Sequence, residues 1–133
     1  MRAILLSLAV MIGLAGAVLA QGKEIEATIT AQIEAFKADD FERAFTYASP
    51  NIRRLFQTPD NFGRMVRGGY PMVWRPAEVT YLDLAEAGGY LVQRVQIRDA
   101  QGALHFLEYQ MIEVDGAWRI NGVRLLKAPP ATA

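Results

Sequence analysis

Few side chains in this 133-residue sequence could act as an acid or a base. Its one histidine, His105, precedes Tyr109 by four residues. On a β-strand these two side chains would share a face, with Leu107 between them. A base beside a hydrogen-bond donor is what proton removal next to a carbonyl requires. The pair is therefore a candidate for acid–base chemistry, and the alternative is a sheet-surface histidine next to a turn.

Two carboxylates in the predicted strands are further candidates, Asp83 and Glu108. Burial away from a cation would raise the pKa of either one and make it a base, with Asp83 the alternative to His105. We expect them instead to face solvent or to pair with Arg94 or Arg98. The acid–base pattern is weak for that reason, and the sequence favours a non-catalytic protein over an enzyme.

The sequence lacks the common motifs of other kinds of catalysis and ligand binding. We find no glycine-rich phosphate loop, no nucleophile-elbow serine, no histidine pair at helical spacing and no calcium loop. The chain also has no cysteine, which removes disulfides and thiolate ligands. A transition-metal site would then need mostly carboxylates, so we predict neither a metal nor a cofactor.

Residues 51–76 have the most uneven charge in the sequence, because five arginines face one acidic residue there. The arginines are Arg53, Arg54, Arg64, Arg67 and Arg75. Guanidinium groups make paired hydrogen bonds to carboxylate or phosphate. They could form the rim of a ligand pocket, in which Arg67 and Arg75 would orient a negative group. The alternative is a solvated helix face neutralised by the acidic residues near position 40.

Residues 70–76 place two aromatic side chains between prolines. Pro71 and Pro76 restrict regular pairing, so we predict an edge strand here. In an extended chain Tyr70 and Trp74 share a face, which could line a pocket for a flat or apolar ligand together with Tyr109. The alternative is that these rings belong to the hydrophobic core.

The first half of the chain has helical periodicity. Ile25, Ile29, Ile33 and Phe36 form one stripe, which predicts a helix over about 24–38. Asp39 or Asp40 would cap a second helix. Ser49-Pro50 and Thr58-Pro59 each place a capping residue before a proline, which predicts short helices near 50–56 and 59–67.

Alternating side chains after residue 78 predict four strands. Glycine-containing turns separate these strands, and Asp115-Gly116 is a strong signal for a two-residue hairpin between 103–114 and 117–126. Trp118, Ile120 and Gly122 would form the surface of the last strand that packs on the first helix. We therefore predict an α+β fold, in which the helices pack on one face of a bent antiparallel sheet of about four strands.

Residues 1–20 resemble an export signal. Arg2 precedes a long apolar stretch, and small or apolar residues before Gln21 predict cleavage after Ala20. This leaves a single domain at 21–128, a flexible tail at 129–133, and a periplasmic or secreted protein without stable membrane insertion. Without Arg2 the chain has 13 basic and 14 acidic residues, a balance that argues against a nucleic-acid partner.

The element order resembles the nuclear transport factor two-like superfamily, whose fold is a cone with a pocket. This resemblance implies a curved antiparallel sheet of about four strands that wraps a long N-terminal helix, with two to three shorter helices nearby. Several longer strings resemble the bacterial domain of unknown function 4864 family: residues 32–36, 45–50, 65–76, 109–111 and 118–123. The superfamily resemblance implies a fold and a pocket. The family resemblance implies no established activity, and fold alone does not decide the chemistry.

Both faces of the strand at 104–114 are rich in apolar side chains, and one helix layer can cover only one face. We therefore hypothesise a sheet-to-sheet homodimer. The function favoured by the sequence is a binding module for a small anionic or aromatic ligand or an envelope partner, contacted by Tyr70, Trp74, Tyr109, Arg67 and Arg75. One alternative, which the superfamily resemblance implies, is a small lyase or isomerase with His105 or Asp83 as base and Tyr109 as hydrogen-bond donor. The other is a dimeric structural or accessory module.

Overall fold

In the computed structural model the chain begins with one long helix, α1, at Arg2–Lys37. The structure describes the backbone of residues 2–130 and the side chains of residues 16–130. The predicted helix over 24–38 is confirmed as the last part of α1, and the predicted cleavage site after Ala20 lies within the same helix. The side chains of residues 1–15, and residues 131–133 of the predicted tail, lie outside the described part of the chain. Across the described residues, no helix has the length and apolarity needed to cross a membrane.

Four short helices follow, and proline or an acidic cap sets where each begins. They are α2 at Phe41–Thr46, α3 at Pro50–Phe56, α4 at Pro59–Gly69 and α5 at Pro71–Trp74. The side chain of Asp40 accepts the backbone N–H of Arg43 and so caps α2. Ser49 and Thr58 cap α3 and α4 in the same way, with proline at the first helical position. The predicted caps and helices are confirmed.

The sheet is an antiparallel meander in the order β1-β2-β3-β4. The strands are β1 at Pro76–Ala87, β2 at Tyr90–Asp99, β3 at Leu104–Val114 and β4 at Ala117–Leu126. Asp115-Gly116 closes the last hairpin as predicted, since both residues have the positive φ angles of a tight turn. The predicted α+β fold with a four-stranded curved antiparallel sheet is confirmed.

The core lies between α1 and the inner face of the sheet, which we define as the face that carries Val95, Leu107 and Tyr109. The helical stripe Ile25, Ile29, Ile33 and Phe36 is buried against this face. A second part of the core is an aromatic group around Phe62, whose ring centroid lies 5.3–5.8 Å from those of Phe36, Phe45 and Phe56. These rings join α1, α2, α3 and α4 into one helical layer.

A bulge in β4 changes which residues face the core. Ile120 pairs with Met111 and Gly122 pairs with Gln110, so Asn121 is an extra residue opposite a continuous β3. The inward positions therefore run from Trp118 and Ile120 to Val123. The prediction that Gly122 packs on α1 was wrong, because the alternation of side chains shifts by one residue at the bulge.

Residues 70–76 are not the predicted edge strand. Pro71 begins the one-turn helix α5, whose Arg75 N–H donates to the carbonyl of Pro71, and Pro76 begins β1. Proline at the first helical position costs no intrahelical hydrogen bond, which is why the turn can form. Tyr70 and Trp74 consequently lie at opposite ends of a helical turn and do not share the face of a strand.

The side chain of Ser49 connects the helical layer to the bulge in β4. Its fully buried hydroxyl accepts the N–H of Ile52 and donates to Oδ1 of Asn121 at 2.7 Å. Ser49→Ala removes the cap and the shorter of two hydrogen bonds to the Asn121 oxygen, which keeps the longer one from Asn51 at 3.3 Å. We therefore expect a loss of about 2 kcal/mol in the free energy of unfolding. Urea denaturation measures it. Thr58→Ala, which removes an exposed cap alone, should cost about 1 kcal/mol, and equal losses would contradict a role for the Asn121 contact.

Candidate functional site

An apolar pocket opens between the helical layer and β4. Its volume is about 190 Å³. The residues that line it come from α1, α3, α4, α5, β4 and the connections before α3 and α5: Gln32, Phe36, Ala48, Ile52, Leu55, Phe56, Phe62, Met65, Val66, Tyr70, Val73, Ile120 and Val123. We call this space the apolar pocket.

Helical spacing explains the two walls that α3 and α4 supply. On α3, Ile52, Leu55 and Phe56 lie three and four residues apart and so project from one face. On α4, Phe62, Met65 and Val66 have the same spacing. Leu55 is 70% exposed although it lines the pocket. A large aliphatic side chain therefore stands open to solvent at the mouth.

The polar groups that reach the apolar pocket already have hydrogen-bond partners. The buried amide of Gln32 donates to the carbonyl of Ala44 at 3.2 Å. The Tyr70 hydroxyl donates to the carbonyl of Val123 at 3.1 Å. A ligand would therefore meet carbon surface on almost every side, and its affinity would come from the removal of apolar area from water.

None of the residues that line the apolar pocket is an arginine. The guanidinium of Arg67 lies over the ring of Phe41, 5.1 Å from its centroid, and that of Arg53 lies over Phe45 at 5.6 Å. Arg54 is about 200° around α3 from Ile52 and faces away from the pocket. The structure thus places these arginines outside the apolar pocket, and Arg53 and Arg67 stack on aromatic rings of the helical layer.

Arg75 fixes the end of α1. Its Nη2 donates to both carboxylate oxygens of Asp39 at 2.9 and 3.0 Å, and its Nη1 donates to the carbonyl of Phe36 at 2.8 Å. Trp74 joins the same group, because its indole N–H donates to Asp39 at 2.9 Å and its ring lies 4.1 Å from the guanidinium carbon. These two predicted ligand residues hold the α1–α2 turn and do not enter the apolar pocket.

Tyr109 lies on the inner face of β3 and is completely buried. Its hydroxyl has no hydrogen-bond partner among the described residues. Burial raises the pKa of this hydroxyl well above its ordinary value, and the nearby Tyr81 and Tyr70 add to the effect. Of the three aromatic residues predicted to contact a ligand, Tyr70 alone lines the apolar pocket.

His105 and Tyr109 share the inner face of β3 as expected, but their surroundings differ. The imidazole Nε2 of His105 lies 2.8 Å from Oδ2 of Asp99, at the far end of the strand. Four strand residues span about 13 Å, so the two side chains do not form an adjacent base and donor. The structure therefore keeps the lyase or isomerase residues apart.

The strand carboxylates lie on the outer face of the sheet, opposite the helices. Arg94 donates to Asp83 at 2.7 Å and lies 3.7 Å from Glu108, which also accepts from Arg124 at 2.9 Å. The expected pairing with Arg94 is confirmed. Acidic and basic side chains alternate in this row, with one from each of the four strands. The row crosses the outer face between the apolar side chains of Phe106 and Ile112. The homodimer stays a prediction.

Sequence reasoning missed most of the residues that form the apolar pocket. Ile52, Leu55 and Met65 belong to helices that were correctly predicted, and their spacing carries the signal that could have identified a wall. Val123 was hidden by the bulge, because simple alternation places it on the outer face.

The fold and the pocket define a small α+β domain with an internal apolar site. The sequence matches the model of the family described as domain of unknown function DUF4864 over residues 18–133, and the chain belongs to that family. No curated protein matches the chain. A similar solved structure is the solution structure of RPA3114, a SEC-C motif containing protein from Rhodopseudomonas palustris. It is 19% identical, covers 84% of this chain and 88% of its own, and has a TM-score of 0.57, which shows a shared fold alone.

The two arginines expected to orient a ligand can be separated by their effects on stability. Arg75→Ala removes three side-chain contacts to α1 and the α1–α2 turn, so we expect a clear fall in melting temperature. Arg67→Ala removes one exposed stacking contact and should change it little. Differential scanning calorimetry compares the two variants, and equal melting temperatures would contradict the anchoring role of Arg75.

The fall in the free energy of unfolding at acid pH, which we call the acid limb, should depend on Asp99. Its pKa is lowered, chiefly because His105 donates to the carboxylate and further because the N–H groups of Ala103 and Gln101 do so. The interactions that lower this pKa stabilise the folded state fully at pH values above the pKa of the unfolded state, about 3.9. The stabilisation is lost as the pH falls through the pKa of the folded state. Asp99→Asn should therefore flatten the unfolding free energy between pH 6 and 2. Glu113→Gln, at an exposed site on β3, should leave the acid limb unchanged, and the same slope in both variants would overturn this assignment.

Proposed function

We propose that this chain is an exported, non-catalytic binding module, and that its apolar pocket binds one small aromatic or aliphatic ligand. The observation that carries the proposal is the pocket itself: a concave space lined by carbon atoms, open at Leu55, with its polar groups already bonded. Stable cores rarely leave apolar space empty, because unfilled volume costs stability.

The size of the pocket limits the ligand. An engineered protein cavity of about 150 Å³ binds benzene, and pockets for drug-sized ligands begin at about 300 Å³. At about 190 Å³ the apolar pocket fits a single substituted ring or a short branched chain. The lining supports an aromatic rather than an anionic ligand, because no cationic side chain contributes to it.

The proposal of export rests on the apolar start of the chain and the small residues before Gln21. Because the chain has no cysteine, its stability in an oxidising compartment would come from packing and not from disulfides. A sedimentation profile at micromolar concentration tests the further proposal of a homodimer through the outer face, and a single monomeric species would contradict it.

Toluene titration tests the apolar pocket. We expect toluene to shift the methyl resonances of Val66, Val73 and Val123, which line it. Ile52→Trp places a larger ring in the pocket and should weaken toluene binding at least about tenfold, the loss of roughly 1.4 kcal/mol of apolar contact. Arg54→Trp adds the same ring to the outer side of α3 and is the matched control.

Two results would refute the binding proposal. One is a set of valine methyl resonances that toluene leaves in place. The other is equal toluene affinity in Ile52→Trp and the unmodified protein. Circular dichroism checks that the variant is folded, and Leu55→Trp, at the exposed mouth, blocks the same pocket if the Ile52 variant is unstable.

A further inference from the structure

A second cavity lies between α5 and the turn that joins β2 to β3. Its volume is about 250 Å³, and it shares no lining residue with the apolar pocket. The side chains around it include Met72, Trp74, Arg75, Asp99 and His105. We call it the His105 cavity. Nothing in the proposed function uses it, although it contains the only histidine in the sequence.

The imidazole of His105 is held in one orientation by Asp99. Oδ1 of Asp99 accepts the backbone N–H groups of Gln101 and Ala103, both at 2.9 Å, while Oδ2 lies 2.8 Å from Nε2 of His105. A carboxylate with this many donors is ionised and can only accept, so Nε2 carries the proton. The neutral imidazole then presents the lone pair of Nδ1, for which the described residues supply no hydrogen-bond partner.

The indole of Trp74 is also fixed before any ligand arrives. Asp39 accepts its N–H at 2.9 Å, and the guanidinium of Arg75 lies over its ring at 4.1 Å. An aromatic wall that has lost its rotational freedom in the free protein pays less entropy on binding. Together with Met72, it gives the cavity a rigid apolar side.

The charges around the cavity are compensated within the protein. Arg75 is paired with Asp39, and Asp99 accepts three hydrogen bonds from its own turn and from His105. A charged ligand would therefore find no unpaired partner among these groups. The unused polar atom is the Nδ1 acceptor, beside an aromatic and aliphatic wall.

We propose that the His105 cavity binds a small neutral aromatic molecule bearing one hydroxyl or N–H group. The ring packs against Trp74 and Met72, and the ligand donates its hydrogen bond to Nδ1 of His105. Asp99 acts as a positioning residue, because it selects the imidazole tautomer that leaves Nδ1 free to accept.

The protonation state of His105 controls the hydrogen bond between the ligand and Nδ1. Protonation of the imidazole places a hydrogen on Nδ1, which then donates and no longer accepts. The charged groups that face the ring are Asp99 at the end of β2 and Arg75 between α5 and β1, with Asp39 behind Arg75. Acidification should therefore release a ligand that binds through a donor group.

Phenol is the probe, with the protein labelled with ¹⁵N at histidine. The single histidine makes both ring nitrogen signals unambiguous. At a pH where these signals show a neutral ring, we expect phenol to shift the Nδ1 signal. When they show a protonated ring, the affinity should fall roughly tenfold, as expected for the loss of one hydrogen bond. Toluene, which has no donor, should show no such pH dependence.

His105→Phe keeps an aromatic ring and removes the acceptor, so phenol affinity should again fall about tenfold. Glu113→Gln changes an exposed side chain of β3 that does not line the cavity, and it should leave the affinity unchanged. Equal phenol affinity for the neutral and protonated rings of the unmodified protein would overturn the proposal even if the variant failed to fold. The same titration in Ile52→Trp, whose apolar pocket is filled, separates this site from the proposed function, since phenol should still shift Nδ1 there.

Discussion

Burial of the α1 stripe against the inner face of the sheet is the constraint on which the other features depend. Ile25, Ile29 and Ile33 are almost completely buried, so the sheet is held against the C-terminal part of the helix. Farther along α1, Phe36 packs against Phe62 of α4. The backbone N–H of Ser49, which caps α3, donates to the carbonyl of Ile120 in β4, and the apolar pocket lies between the short helices and β4. The pocket therefore forms where the short helices and β4 pack around the C-terminal end of α1.

Local chemistry made much of this fold predictable. Ser49-Pro50 and Thr58-Pro59 define helix starts by themselves, because cap and proline act on the nearest backbone groups. The α1 stripe and the Asp115-Gly116 hairpin are equally local. The pairing of Arg94 with Asp83 also followed, since neighbouring strands bring opposite charges on one face together.

The site was less predictable because its geometry depends on long-range contacts. The extra residue Asn121 shifts the side-chain alternation of β4, so that Val123 faces inward. No local residue type predicts this bulge. Arg75 was expected to meet a ligand, yet it finds Asp39, 36 residues earlier in the chain. Tyr70-Pro71 could have been interpreted like the two earlier proline starts, but the neighbouring aromatic residues favoured an extended segment. His105 lies on the expected face. Its contact with Asp99 was not predicted, because it depends on the conformation of the turn between β2 and β3.

Crystals of the protein pressurised with xenon would test the apolar pocket most directly, because xenon occupies open apolar cavities without needing a polar contact. The structure predicts a xenon atom enclosed by Phe36, Val66, Val73 and Ile120, with those side chains in place. A Leu55 or Tyr70 side chain folded into this space, with no xenon bound, would contradict the existence of the pocket.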